Sequence, residues 1–310
     1  MSAPISGVFC AATTPVNEQG EVQLDLFAEH CLALLEEGAH GVALLGTTGE
    51  ANSYSLTERK ALLEAAMKIG VKGEQLLPGT SACSVPETVE LTRHAVGLGV
   101  KACVLLPPFY YKGVSDDGLF KFYKDVIEGV NDPRLKVVLY HIPQVTQIPL
   151  SHDLIERLIA AFGDTIVGIK DSSGDIENMK ALVNRFSGFS VLAGADPLLK
   201  PLLEAGGAGC ITATSNLRSD ALRVVFDGWD KPELKDKVEA AQASIDAWRT
   251  LSNSYVQLPT IKTMVSQKRG SDLWLNVRPP LMPLDEQAKA HIVEQVAELT
   301  EKLSSEVWCE

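Results

Sequence analysis

The chain has 310 residues, with 28 basic against 40 acidic side chains and a net charge of −12, a balance that repels nucleic acid phosphates instead of neutralising them. Hydrophobic residues make up 45 % and charged residues 22 %, which supports a large core and argues against long disorder. No apolar run reaches the about 18 residues that a membrane span needs, and Met1-Ser2-Ala3-Pro4 lacks the charged and apolar parts of a secretion leader, so neither a membrane nor a nucleic acid partner is expected and the expected compartment is the cytoplasm.

Short apolar runs alternate with amphipathic stretches along the chain. The first run, residues 7–14, precedes a helical stripe of Leu24, Phe27, Ala28, Cys31, Leu34 and Leu35. After the second run, 41–46, Ser55 and Glu58 have the spacing of a capping box. The third run is 75–80, followed by Ser84, Pro86 and Glu87 at a second helix start. Runs at 102–107, 135–142, 166–171 and 190–194 come next; Asp196-Pro197 then reads as a cap and a first-turn proline, before a last run at 209–214. All are rich in Val, Ile and Leu, as strands buried on both faces should be.

Eight such runs, each followed by a helical pattern, predict an α/β fold, a (β/α)8 TIM barrel over residues 1–228. A doubly wound sheet shares the alternation, but it wants a glycine-rich fingerprint where Thr13-Thr14-Pro15 stands. Residues 229–310 read as a C-terminal helical extension: Val238, Ala241, Ile245, Trp248 and Leu251 recur at helical steps, and 285–304 form another amphipathic stretch. The six cysteines (Cys10, Cys31, Cys83, Cys103, Cys210, Cys309) include no C-x-x-C pair and read as free thiols. The six histidines show no metal-binding spacing, so no metal site is expected.

In a barrel of this kind the strand ends on one rim carry the chemistry. Lys170 closes the run Ile166-Val167-Gly168-Ile169, and period-two alternation puts it on the face of Gly168 and Ile166, with Val167 and Ile169 opposite. Gly168 would leave room there for a long side chain. Burial disfavours an ammonium ion and frees an amine to attack carbonyl carbon. A lysine paired with Asp171, or reaching to the rim, fits the same local pattern. Tyr140 ends the preceding strand on the face of Val138; it can relay protons beside such an amine, or sit in the core with its hydroxyl on a backbone carbonyl. Gly46-Thr47-Thr48-Gly49-Glu50 offers backbone approach, hydroxyls and N–H groups for a carboxylate, or makes a plain turn. It lacks the lysine of a phosphate-binding loop. Gly206-Gly207-Ala208-Gly209 reads as a helix-to-strand turn on the opposite rim.

Taken together, Gly46-Thr47-Thr48-Gly49-Glu50, Tyr110-Tyr111, Tyr140-x-x-Pro143, Gly168-x-Lys170, Gly194 in Leu-Ala-Gly-Ala-Asp, the stretch 209–216 and Arg278-Pro279-Pro280-Leu281 resemble the dihydrodipicolinate synthase / N-acetylneuraminate lyase family over essentially the whole chain. The resemblance implies a cytoplasmic TIM barrel, assembled as a homotetramer from tight dimers. It implies pyruvate, or a 2-oxo acid that yields pyruvate, held as an imine on Lys170. Thr48 and Thr47 would bind its carboxylate, with Gly46, Gly194 and Ile211 also at the keto acid. Tyr140 would transfer protons, and Thr47 would link it to Tyr111, which in synthases of the family comes from the neighbouring subunit. An iminium is itself an electron sink, so no metal or other cofactor is implied.

One departure bears on the substrate. Synthases acting on aspartate semialdehyde commonly carry Tyr-Asn-x-Pro-x-Arg, whereas this chain reads Tyr140-His141-Ile142-Pro143-Gln144-Val145. Val145 offers no hydrogen bond to a distant carboxylate, a loss of about 1.5–3 kcal/mol per charge-assisted bond. Asp171-Ser172-Ser173-Gly174-Asp175 resembles the family's aldolases more than its synthases. The sequence therefore predicts a carbon–carbon lyase that cleaves or forms a 2-oxo acid. The alternatives are a dihydrodipicolinate synthase, a dehydratase of keto-deoxy sugar acids, and a pocket protein without turnover.

Overall fold

Seven of the eight apolar runs pair into one parallel sheet in the computed structural model, which describes residues 5–305. The readings that rest on Met1–Pro4, on Cys309 and on the end of the C-terminal region lie outside the described residues. The strands are β1 (Gly7–Cys10), β2 (Gly41–Val42), β3 (Cys103–Leu105), β4 (Val137–His141), β5 (Ile166–Asp171), β6 (Ser190–Ala193) and β7 (Gly209–Thr212), in the order β2-β1-β7-β6-β5-β4-β3. The helices between and after them are α1 (Leu24–Glu36), α2 (Leu56–Lys68), α3 (Val85–Gly97), α4 (Asp116–Val130), α5 (Pro143–Thr146), α6 (His152–Phe162), α7 (Ile176–Arg185), α8 (Leu199–Glu204), α9 (Ser215–Gly228), α10 (Lys235–Ser252), α11 (Gln257–Arg269) and α12 (Glu286–Ser305). No helix among the described residues is long and apolar enough to cross a membrane.

The run at 75–80 corrects the expectation of an eighth ladder strand. It lies between the two edge strands and meets each through an isolated bridge, Val42 with Leu76 and Gly79 with Val104. Leu77 N donates to Val42 O at 2.9 Å, and Val104 N donates to Pro78 O at 2.9 Å. Pro78 has no N–H to return, which breaks a ladder at its centre. The result is a TIM-barrel-like arrangement of seven ladder strands with a bridging segment at the seam.

Alternation along the strands sorts the apolar residues into two cores. Phe9, Val104, Val138, Tyr140, Leu192 and Ile211 share the inner cluster, while Val8, Cys10, Val137, Leu139, Val191 and Cys210 pack outward with the helices. Each fully buried Val, Leu, Ile or Phe contributes about 1.5–3 kcal/mol, so strand faces are fixed by which core they feed. On β5 the expected faces need correction: the register against β4 slips between Val137 and Val138, placing Ile166 in the outer cluster and Val167 against the inner one. Alternation resumes beyond the slip, with Ile169 outward. Gly168 is also required for a different reason. A Cβ there would lie 2.5 Å from Ser190 O, so the glycine admits β6.

Ser55 and Glu58 complete a reciprocal capping box at the start of α2. Asp196 does not act as a cap: its turn has no side-chain cap bond, and its buried carboxylate accepts from Thr214 Oγ1 at 2.9 Å with Arg249 at 3.6 Å. Cys10, Cys31, Cys83, Cys103 and Cys210 are free thiols. Beyond β7, α10 packs against α9, and Trp248, Ile261, Met264, Trp274 and Ile292 form a third apolar cluster among the later helices.

Candidate active site

Lys170 and Tyr140 are direct partners across β5 and β4. The Lys170 Nζ stands 4.1 Å from the centroid of the Tyr140 ring, a cation–π approach, and the two residues are only 5 % and 4 % exposed. Asp171 is engaged elsewhere, accepting from Ser173 N at 2.8 Å and Asn178 Nδ2 at 2.7 Å. Of the readings that the sequence left open for Lys170, pairing with Asp171 is thereby removed.

The Tyr140 hydroxyl lies 3.3 Å from Thr47 Oγ1, so its partner is a side chain and not a backbone carbonyl. Burial pushes the phenol pKa up, but the charge of Lys170 and the polar groups of Thr47 and Ser172 outweigh burial and leave it below the ordinary tyrosine range. Thr47 belongs to the turn after β2, which enters through Leu45 at φ 61° and leaves through Glu50 at φ 54°. Glu50 N closes that turn on Thr47 O at 3.0 Å.

Lys170, Tyr140, Thr47, Gly46 and Ile211 line one cavity, together with Leu77, Gly79, Val104 and Leu106. Thr48, Gly194 and Tyr111 are not among its walls. Thr48 is buried beside Thr47. Gly194 sits at the end of β6, where N donates to Asp171 O at 2.7 Å and a Cβ would fall 1.9 Å from Ser172 Oγ; the glycine permits close backbone packing there. Tyr111 is 75 % exposed, its ring edge-on to Tyr110 at 5.2 Å, and it makes no hydrogen bond to Thr47 among the described residues.

His141 is held by the fold, its Nδ1 accepting from Leu150 N at 3.2 Å, with burial lowering its pKa below the usual imidazole range. Val145 on α5 is 59 % exposed, and the neighbouring Gln144 Nε2 donates to Ser172 O at 2.6 Å. No group of three or more His, Cys, Asp or Glu among the described residues is arranged to hold a metal.

Sequence reasoning passed over Arg59, which also lines the cavity. It donates from Nη1 to Ser81 O at 2.9 Å and from Nη2 to Gly79 O at 3.0 Å, and burial lowers its pKa to about 10. The signal was available: Arg59 shares the buried stripe of α2 with Leu62, Leu63 and Ala66, where a cation is out of place unless it has partners.

Comparison with known proteins places these features. Residues 4–299 match the model of the "Dihydrodipicolinate synthetase family". The chain is 35 % identical over 287 residues to an uncharacterized DapA-like lyase of Chloroflexus aurantiacus, covering 92 % of this chain and 93 % of that one. It is similar to YagE, a protein of the dihydrodipicolinic acid synthase family from E. coli solved in complex with pyruvate, with 25 % identity, a TM-score of 0.87 and coverage of 96 % and 99 %. It is also similar to the chloride-inhibited dihydrodipicolinate synthase of Acinetobacter baumannii complexed with pyruvate, with 28 % identity, a TM-score of 0.85 and coverage of 96 % and 99 %.

Proposed function

Because the chain belongs to the dihydrodipicolinate synthetase family, we propose that it is a Schiff-base-forming carbon–carbon lyase that cleaves or forms a 2-oxo acid, with pyruvate as the imine-bound component. The observation that carries the reading is the buried Lys170 amine facing Tyr140, whose hydroxyl reaches Thr47. In the condensing direction the Lys170 nitrogen adds to the keto carbon, and the oxygen takes a proton through Tyr140 and leaves as water. The iminium then accepts the electron pair of a methyl C–H bond as that proton departs. The enamine attacks an aldehyde carbon, the new alkoxide is protonated, and water releases the product; cleavage runs the same steps backward.

In this reading Thr47 and Thr48 hold the keto acid carboxylate, and Gly46, Gly194 and Ile211 contribute backbone around it. The segment 75–80 serves as the eighth stave of a (β/α)8 barrel within residues 1–228, with 229–310 as the helical region. Tyr111 completes the relay from a second copy in a dimer of dimers; its exposure beside Tyr110 supports that assignment. Borohydride reduction with pyruvate is expected to attach one reduced pyruvate per chain, mapped by mass spectrometry to Lys170, and an unlabelled chain overturns the reading.

The acceptor is an aldehyde without the distant carboxylate of aspartate semialdehyde, because Val145 has no donor to offer. A coupled assay with pyruvate and aspartate semialdehyde is expected to show no robust turnover, while a panel of 2-oxo acids should include one that releases pyruvate. Efficient condensation with aspartate semialdehyde would restore the synthase alternative.

A further inference from the structure

We propose that Glu50 and Lys262 act as a buried positioning pair through which helix α11 sets the Thr47 hydroxyl against Tyr140. The proposal rests on the Schiff-base reading above. Lys262 Nζ donates to Glu50 Oε1 at 2.7 Å, and both side chains are fully excluded from solvent. Lys262 stands on α11 among the buried Thr260, Ile261, Thr263 and Met264, where burial pulls its pKa down against the opposing pull of Glu50.

The geometry ties this pair to the site through few bonds. Glu50 occupies a left-handed backbone conformation, φ 54°, with its side chain anchored on Lys262. Its N–H closes on Thr47 O at 3.0 Å, Ala51 N closes on Gly46 O at 3.2 Å, and Thr14 Oγ1 grips Gly49 O at 3.0 Å. The second carboxylate oxygen accepts from Arg278 N at 3.4 Å, and Arg278 Nη1 donates to Ser53 O at 2.8 Å. The turn bearing Thr47 is thus pinned from the C-terminal region, and moving Glu50 moves the carbonyl of Thr47. A buried ion pair is a poor device for stability alone, since an apolar pair of similar volume often serves as well. Its directional bonds fix register, and the register fixed here is that of Thr47.

The test uses the full chain with pyruvate and borohydride as the probe. The double variant Glu50→Leu/Lys262→Met removes both charges together and keeps the space filled. It is expected to unfold near the wild-type temperature and to label at Lys170, with the half-saturating pyruvate concentration raised about tenfold or more because the displaced Thr47 no longer meets the keto acid carboxylate. A purely structural role would leave half-saturation in place, whatever the unfolding temperature. Half-saturation within about twofold of wild type in the folded variant overturns the proposal. Should that variant not fold, the isosteric Glu50→Gln decides: a rise of about threefold to tenfold is expected, and anything smaller overturns the proposal. Absence of label in the wild-type chain defeats the Schiff-base reading instead, so the two failures are distinct.

Discussion

Lys170→Ala is expected to lose the reduced pyruvate adduct and the lyase activity together while keeping its fold. Lys170 supplies the amine of the cavity wall: the other lining residues offer hydroxyl, amide and guanidinium groups and apolar surface, none of which forms an imine with a ketone. The lysine takes part in no ion pair among the described residues, so its removal strands no buried counter-charge, the usual cause of large losses. It does take away a cation lying over the Tyr140 ring, a contact of about 0.5–2 kcal/mol. Intact-protein mass after borohydride treatment, peptide mapping and the thermal unfolding curve would be read side by side. A label that persists on another lysine, with turnover intact, would remove the foundation of the proposed chemistry.

Tyr140→Phe is the second large effect. The ring remains in the inner cluster, so packing and the face presented to Lys170 are preserved; only the hydroxyl that meets Thr47 is lost. The expected outcome is a fall in kcat of about 10²- to 10⁴-fold, with half-saturation by pyruvate moving far less. The pH dependence gives an independent signature. Burial raises the phenol pKa, but Lys170, Thr47 and Ser172 together lower it below the ordinary value. A phenol that must be protonated to donate is therefore lost at a lower pH than a free tyrosine, which titrates near about 10. In the wild type kcat/KM should decline on the alkaline side as pH rises through that lowered value, and the Phe variant should lack this limb. A variant with wild-type kcat would take Tyr140 out of the relay.

The strands that carry this chemistry were legible because apolar runs buried on both faces advertise themselves, and Lys170 stood out as a cation ending such a run. The position of Tyr140 beside it followed from the order of strands, which the sheet bears out. What escaped was tertiary detail. No local pattern announces the register slip that exchanges the faces of Ile166 and Val167. Pro78 was visible in the third run, yet its cost to a ladder depends on which neighbours need its missing N–H. Glu50 and Lys262 lie 212 positions apart, and each alone looks like an ordinary surface charge. Only packing shows that they exclude water together. Tyr111 was placed after β3 by its motif, and in the single chain it is exposed, without a hydrogen bond to Thr47 among the described residues.

The seam at 75–80 has a consequence for how the cavity behaves. Leu77 and Gly79 are part of its wall, and their segment closes the gap between the edge strands through backbone bonds on both sides, among them Gly79 N to Leu44 O at 2.8 Å and Thr80 N to Val104 O at 3.2 Å. Pro78 leaves one gap in this stitching, so the wall opposite the amine hangs on its flanking bonds while the amine and the phenol sit on directly paired strands.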